Sequence, residues 1–166
     1  FDPSKIAWAK NIFIVENNID SLLTSSGGIY ALANQLVIMG NLVANPKTHD
    51  VRIPMGRKAF IAHNQLNNIP SSTFHQLKFH AQGIQSWISD YVVDAPNPAS
   101  SLSVVSSNVI GNGLGDVNNW QVSVGPQNAQ SIEAHLNTIV EDNIFIRNGA
   151  APKSQQQIVI TGKSVY

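Results

Sequence analysis

The stretch from Phe1 to Ser26 constrains this chain more than any other, because its apolar residues recur at helical spacing. Trp8, Ile12, Val15, Ile19 and Leu22 alternate steps of four and three, which makes one continuous seam on an α-helix. Asp2 suits the N-cap, Pro3 the first helical position, and Gly27-Gly28 the stop. Ile6, Ala9 and Phe13 form a second stripe with Ile14 beside it. A helix that is apolar on two sides needs protein on both. The expectation is a spine helix over residues 1–26 that packs on its own domain with one side. Ile6, Trp8, Phe13 and Ile14 then form an assembly interface on the other.

Downstream, Ile29, Leu32, Leu36 and Met39 hold helical spacing and predict a short second helix ending near Gly40, with Asn45-Pro46 as a boundary. Val51-Arg52-Ile53 and Lys58 to Ala62 read as short extended pieces around Pro54-Met55-Gly56. A third helix starts at Ser71 or Ser72 and carries Phe74, Leu77, Ala81, Ile84, Ile88 and Tyr91 until Pro96 and Pro98 end it. From Ser101 the pattern turns extended: Leu102 to Ile110 is rich in Val and Ser, and Trp120 to Val124 alternates cleanly. A fourth helix with Asn128 as cap and Ile132, Leu136, Ile139 and Val140 on one face is expected next. Strands at Asn143 to Arg147 and Gln157 to Thr161 then pair with each other. No internal repeat is apparent. Helices first and strands after predict an α+β fold in one domain, residues 1–166: the spine helix, a helical and loop connecting region over 27–100, and a strand-helix-strand sheet region over 101–166.

The chain has ten basic and ten acidic residues, and this balance argues against a nucleic-acid partner. Only 12% of its residues are charged, about half the usual share. Asn, Gln and Ser supply the polarity instead, which suits lateral packing against protein as well as the surface of a secreted monomer. With no cysteine, neither disulfides nor thiolate metal sites are available. No apolar run reaches the ~18 residues that a membrane span needs.

The five histidines do not assemble into a metal or general-base pattern: His75 and His80 lie on different faces of the third helix, and His49, His63 and His135 are scattered. Gly111 to Asp116 has a single carboxylate and opens no helix, so it reads as a turn rather than a phosphate or calcium loop. Glu16 and Asp20 stand one turn apart on a shared helix face, and Glu141-Asp142 end the fourth helix as solvated carboxylates that oppose its dipole; nothing selects either as a catalytic pair. Arg52, Arg57 and Lys58 form the only basic cluster. Trp8, Trp87 and Trp120 default to the core, with a sugar platform as the alternative. No catalytic residue, cofactor or metal ligand is expected.

Three local patterns, Ala9 to Leu23 running into Ser26-Gly27-Gly28-Ile29-Tyr30, Leu36 to Val43 followed by Ile53-Pro54-Met55-Gly56, and Trp120 to Gly149, resemble the soluble domain of the type IVb pilin family. The resemblance implies a long N-terminal helix packed on a mainly antiparallel β-sheet. It also implies a structural subunit of a pilus-like or secretion-associated filament, outside the cell, with self-association and membrane contact through an apolar segment upstream of Phe1. The family's carboxyl-proximal disulfide is missing, which points to a minor pilin or pseudopilin. The alternative is a secreted or periplasmic binding module for glycan or protein.

Overall fold

The computed structural model describes residues 9–20, 27–44, 49–67, 77–79, 102–111, 122–124, 137–146 and 158–160. Among them the regular structure is entirely β: β1 (Asn11–Val15), β2 (Asn18–Asp20), β3 (Gly27–Met39), β4 (Leu42–Ala44), β5 (His49–Ala62), β6 (Gln65–Asn67), β7 (Leu77–Phe79), β8 (Leu102–Ser106), β9 (Val109–Ile110), β10 (Val122–Val124), β11 (Thr138–Glu141), β12 (Ile144–Phe145) and β13 (Ile158–Ile160). Every pairing between them is parallel.

The partners show how the chain winds. β1, the second half of β3, the second half of β5, β8 and β11 stack in sequence. β2, β4, β6, β9 and β12 do the same in a second sheet. The first halves of β3 and β5 continue through β7, β10 and β13. Each circuit of the chain therefore lays one strand on each of three faces before starting the next circuit. This is a β-solenoid, in which each coil contacts mainly its neighbours.

The core is one continuous cluster built from stacked columns. Ile14, Ile38, Ile61, Val105 and Val140 are in register across the first of these sheets. Ile19, Val43, Leu66, Ile110 and Phe145 are in register across the second. Ile38, Ile61, Val105, Val43, Leu66 and Ile110 are fully buried. Their counterparts in the outer coils, Ile14, Ile19, Val140 and Phe145, are only partly so. A parallel sheet needs protein on its inner face, and the coil supplies it by facing its own other walls.

Between the first two sheets the chain turns a tight corner, and the same device recurs five times. Glu16, Gly40, His63, Ser107 and Asp142 all have positive φ, from 52 to 68°. Each is followed by an asparagine: Asn17, Asn41, Asn64, Asn108 and Asn143. The left-handed residue swings the chain through the corner, and the asparagine side chain holds it. In Asn41, Asn64 and Asn108 both the backbone N–H and the side-chain Nδ2 donate to the Oδ1 of the next asparagine, at 2.9 to 3.0 Å. Asn17 does the same to Asn41. Nδ2 also reaches carbonyl oxygens of the strands, for example Asn64 to Ile38 and Ala62 at 3.0 Å each. Buried amides that would otherwise be costly thus satisfy one another along the axis.

Several expectations from sequence are corrected here. The α+β class, with a long helix on an antiparallel sheet, is replaced by a solenoid of parallel strands. Residues 11–15 and 18–20 of the expected spine helix are β1 and β2, and the second helix is β3. Leu77 to Phe79, placed in the third helix, are β7. Ile139 and Val140, placed in the fourth, lie in β11. The strands expected at 143–147 and 157–161 exist as β12 and β13, but they do not pair with each other: β12 pairs β9 and β13 pairs β10. Thr138 of the expected fourth helix lies in β11 as well, and the third helix beyond Leu77 to Phe79 and the fourth before Asn137 lie outside the described residues.

The physical reason is a coincidence of spacing. Inward positions in a coil fall two apart along the strand, and the corner then carries the chain five residues on to the next inward position. Ile12, Ile14 and Ile19 follow this rule, as do Leu36, Ile38 and Val43. Outward apolar residues such as Phe13 and Val15 fill the gaps, and the sum mimics a spacing of three and four. The β-branched content of Ile12, Ile14, Val15 and Ile19 already leaned toward strand.

Candidate interaction face

Strand alternation sends every second residue of the first sheet outward. In this position Phe13, Val37, Phe60, Val104 and Ile139 are neighbours across five successive coils. Phe13 is 70% exposed, Phe60 40% and Ile139 44%, with Val37 and Val104 between them half-buried. With strands about 4.8 Å apart, the ribbon runs about 19 Å along the solenoid. On one side lie Asn11, Gln35, Lys58 and Leu102, and on the other Val15, Met39, Ala62, Ser106 and Glu141. An unbroken row of five apolar side chains on the solvent face of a sheet is unlike the scattered exposed residues normal for a protein surface.

The residues expected at an assembly interface are distributed differently. Phe13 and Ile14 are adjacent in β1 and so point to opposite sides: Phe13 lies on the ribbon and Ile14 packs on the core. Ile6 and Trp8 lie outside the described residues, as do Trp87, Trp120, His75, His80 and His135. His63 is exposed at a corner, with φ 57°. Glu16 and Asp142 also occupy corners, whereas Asp20 and Glu141 end strands, so neither carboxylate pair lies on a helix face. Arg52 is turned toward Tyr30, its guanidinium 5.7 Å from the ring centroid, a contact worth about 0.5–1 kcal/mol. Lys58 lies beside the ribbon, so the basic cluster is divided between two faces of the coil.

One ionisable group is buried in the wall. Asp50 in β5 is 0% exposed, and neither carboxylate oxygen has a hydrogen-bond partner. Burial raises its pKa well above the usual carboxylate range. The protonated form is therefore favoured in the folded chain while the unfolded chain ionises at the ordinary value. Below that ordinary value both states hold the proton, and the group adds no pH dependence. As pH rises through it, the unfolded state releases a proton that the folded state keeps, and stability declines by up to about 1.4 kcal/mol per pH unit until the folded carboxyl itself ionises. Asp50→Asn is expected to flatten this dependence: urea denaturation at pH 4 should differ little from the parent, and at pH 8 the variant should be the more stable. Equal losses at both pH values would mean that Asp50 is held by contacts rather than strained by burial.

Comparison of the chain with protein-family models, curated proteins and solved structures finds no match. Functional reading therefore starts from the face itself.

The ribbon was legible only in part. The sequence places Phe13 at an expected assembly interface, but the other four residues of the ribbon lie 24 to 126 positions away in the chain. They meet only because coils of unequal length are brought into one register.

Proposed function

We propose that this chain is a non-catalytic binding and structural module, a β-solenoid whose ribbon of Phe13, Val37, Phe60, Val104 and Ile139 docks on an apolar protein surface outside the cytoplasm. The observation that carries the reading is the continuity of that ribbon over five coils. A flat apolar strip with two phenylalanines, whose flanks are mostly amide or apolar and carry Lys58 and Glu141 as charges, supplies contact area at low desolvation cost. Sugar recognition depends on convergent hydrogen-bonding groups around an aromatic platform, and the ribbon itself is aliphatic and phenyl. A protein partner is therefore favoured over a glycan. The pilus subunit suggested by resemblance was motivated by a spine helix, and strands at 11–15 and 18–20 withdraw that motive.

Peptides selected from a displayed library on the folded chain provide the test. Binding should weaken at least tenfold, about 1.4 kcal/mol, in Phe13→Ser/Phe60→Ser. It should be unchanged in Asn18→Ser/Gln65→Ser on the neighbouring face. Binding that ignores the phenylalanine pair, or a glycan array that responds where peptides do not, would overturn the reading.

A further inference from the structure

We infer that the partner of the ribbon is a second copy of this chain, packed ribbon to ribbon about a twofold axis that runs along the solenoid. The inference rests on the reading of the ribbon as a docking face and names its occupant. Its basis is the difference between the two flanks. Among the described residues, the side of Asn11, Gln35 and Lys58 carries Lys10 in the first coil and Lys58 in the third, and no carboxylate. The opposite side, with the corner that follows it, carries Glu16 in the first coil and Glu141 and Asp142 in the last, and no lysine or arginine. All five of these charged residues are exposed.

A face of this kind complements itself. A twofold along the solenoid keeps each coil opposite the same coil of the other copy and reverses the strand direction. The basic flank of each copy then lies over the acidic flank of the other. Lys10 and Glu16 stand three residues before and three after Phe13. The operation therefore sets Lys10 against Glu16 of the second copy and, by symmetry, Glu16 against its Lys10. Within one chain the two residues are about 20 Å apart along the strand, too far to pair.

The relief of the face matches in the same way. In the third coil Lys58 is exposed and Ala62 buried, and in the second Gln35 is exposed and Met39 half-buried. The twofold lays Lys58 over Ala62 of the second copy, ridge into trough, with Phe60 against Phe60 on the axis. The other face-to-face arrangement, with the axis along the strands, stacks the first coil on the last and sets Lys58 on Lys58, and this meeting of like charges is unfavourable. Strands about 4.8 Å apart, each laying about five residues on this wall, give roughly 400 Å² per copy. That is about half of a standard interface, so the dimer belongs to the weak, reversible class.

Sedimentation equilibrium of the full chain over a range of concentrations provides the test. A monomer–dimer equilibrium is expected, half-complete at roughly tens to hundreds of micromolar, with no larger species. Phe60→Lys sets two ammonium groups face to face on the axis and should abolish the dimer. Glu16→Lys turns both contacts with Lys10 repulsive and should weaken dimerisation about fivefold at low salt. Lys10→Glu/Glu16→Lys should restore it, because the exchanged charges oppose each other again only across the twofold. Ile144→Lys, at a site 60% exposed on the second sheet, should change nothing. Circular dichroism checks the fold of every variant. A chain that stays monomeric up to its solubility limit would overturn the inference but not the docking role of the ribbon, which peptide selection reads separately. A dimer that ignores Phe60→Lys, or a charge exchange that fails to rescue, would overturn it as well.

Discussion

Asn64→Ala is expected to lower the unfolding free energy by about 4 kcal/mol, as the sum of several buried polar groups left unpaired at about 1–3 kcal/mol each. Asn64 is 1% exposed and lies at the centre of the asparagine column. Its Oδ1 accepts from both the N–H and the Nδ2 of Asn41, each at 3.0 Å. Its Nδ2 donates to Ile38 O, Ala62 O and Asn108 Oδ1. Alanine removes the side-chain partner on both sides and leaves room for no equivalent. The same substitution at Asn17, exposed at one end of the column, removes only donors to Val15 O and Asn41 Oδ1 and should cost about 1 kcal/mol. Chemical denaturation of the two variants measures the difference. Equal losses would mean that the column acts as separate corner caps rather than as a network. Asn64→Asp sharpens the comparison, because a carboxylate oxygen would replace the Nδ2 donor opposite two carbonyls. Its destabilisation should therefore be deepest at neutral pH and smaller where the carboxyl is protonated.

Gly28→Ala should cost about 3 kcal/mol, at the upper end of what overpacking a dense interior usually produces. A Cβ at this position would run into Val43 Cγ1 and stand 2.6 Å from the backbone oxygen of Asp50. The valine is fully buried, and the carbonyl belongs to β5, which is paired with β3 on either side of the contact at Gly27–His49 and Ile29–Val51. Neither neighbour can withdraw without opening the wall between two coils. Gly40→Ala is the informative contrast. There the obstacle is φ of 68° and a Cβ 3.3 Å from Glu16 Cγ, the middle of an exposed flexible side chain. The cost should be near the ~1 kcal/mol of placing one non-glycine residue in the left-handed region, where four of the five corners already have one. A guanidinium titration in which both glycine variants lose the same stability would mean that close approach at Gly28 is relieved by relaxation.

The repeat that organises the chain is written in the sequence as a set of offsets rather than as a constant period. Ile12, Ile14, Asn17 and Ile19 stand at offsets of zero, two, five and seven, and so do Leu36, Ile38, Asn41 and Val43. Ala59, Ile61, Asn64 and Leu66 repeat the offsets, followed by Ser103, Val105, Asn108 and Ile110, and by Thr138, Val140, Asn143 and Phe145. A search at constant period misses this because successive asparagines are 24, 23, 44 and 35 residues apart. Solenoid repeats tolerate such insertions, since loops leave the coil without disturbing the stacked strands.

Local chemistry by itself determined the strands at Val51–Ile53, Leu102–Ser106, Val122–Val124 and Ile158–Ile160. There β-branched alternation is not mixed with outward apolar residues in a way that imitates a helix. It also determined that Phe1 to Ser26 carries more apolar side chains than one buried face can use. Only the tertiary structure decided that Phe13 and Ile14 take opposite sides, that Phe13 joins Val37, Phe60, Val104 and Ile139, and that all the pairing is parallel. The reason is that the few residues each strand lays on one wall between corners have too little pattern of their own to separate period two from period three and a half. Their direction is set by the coil above and below, through asparagines that recognise one another only after the chain has wound.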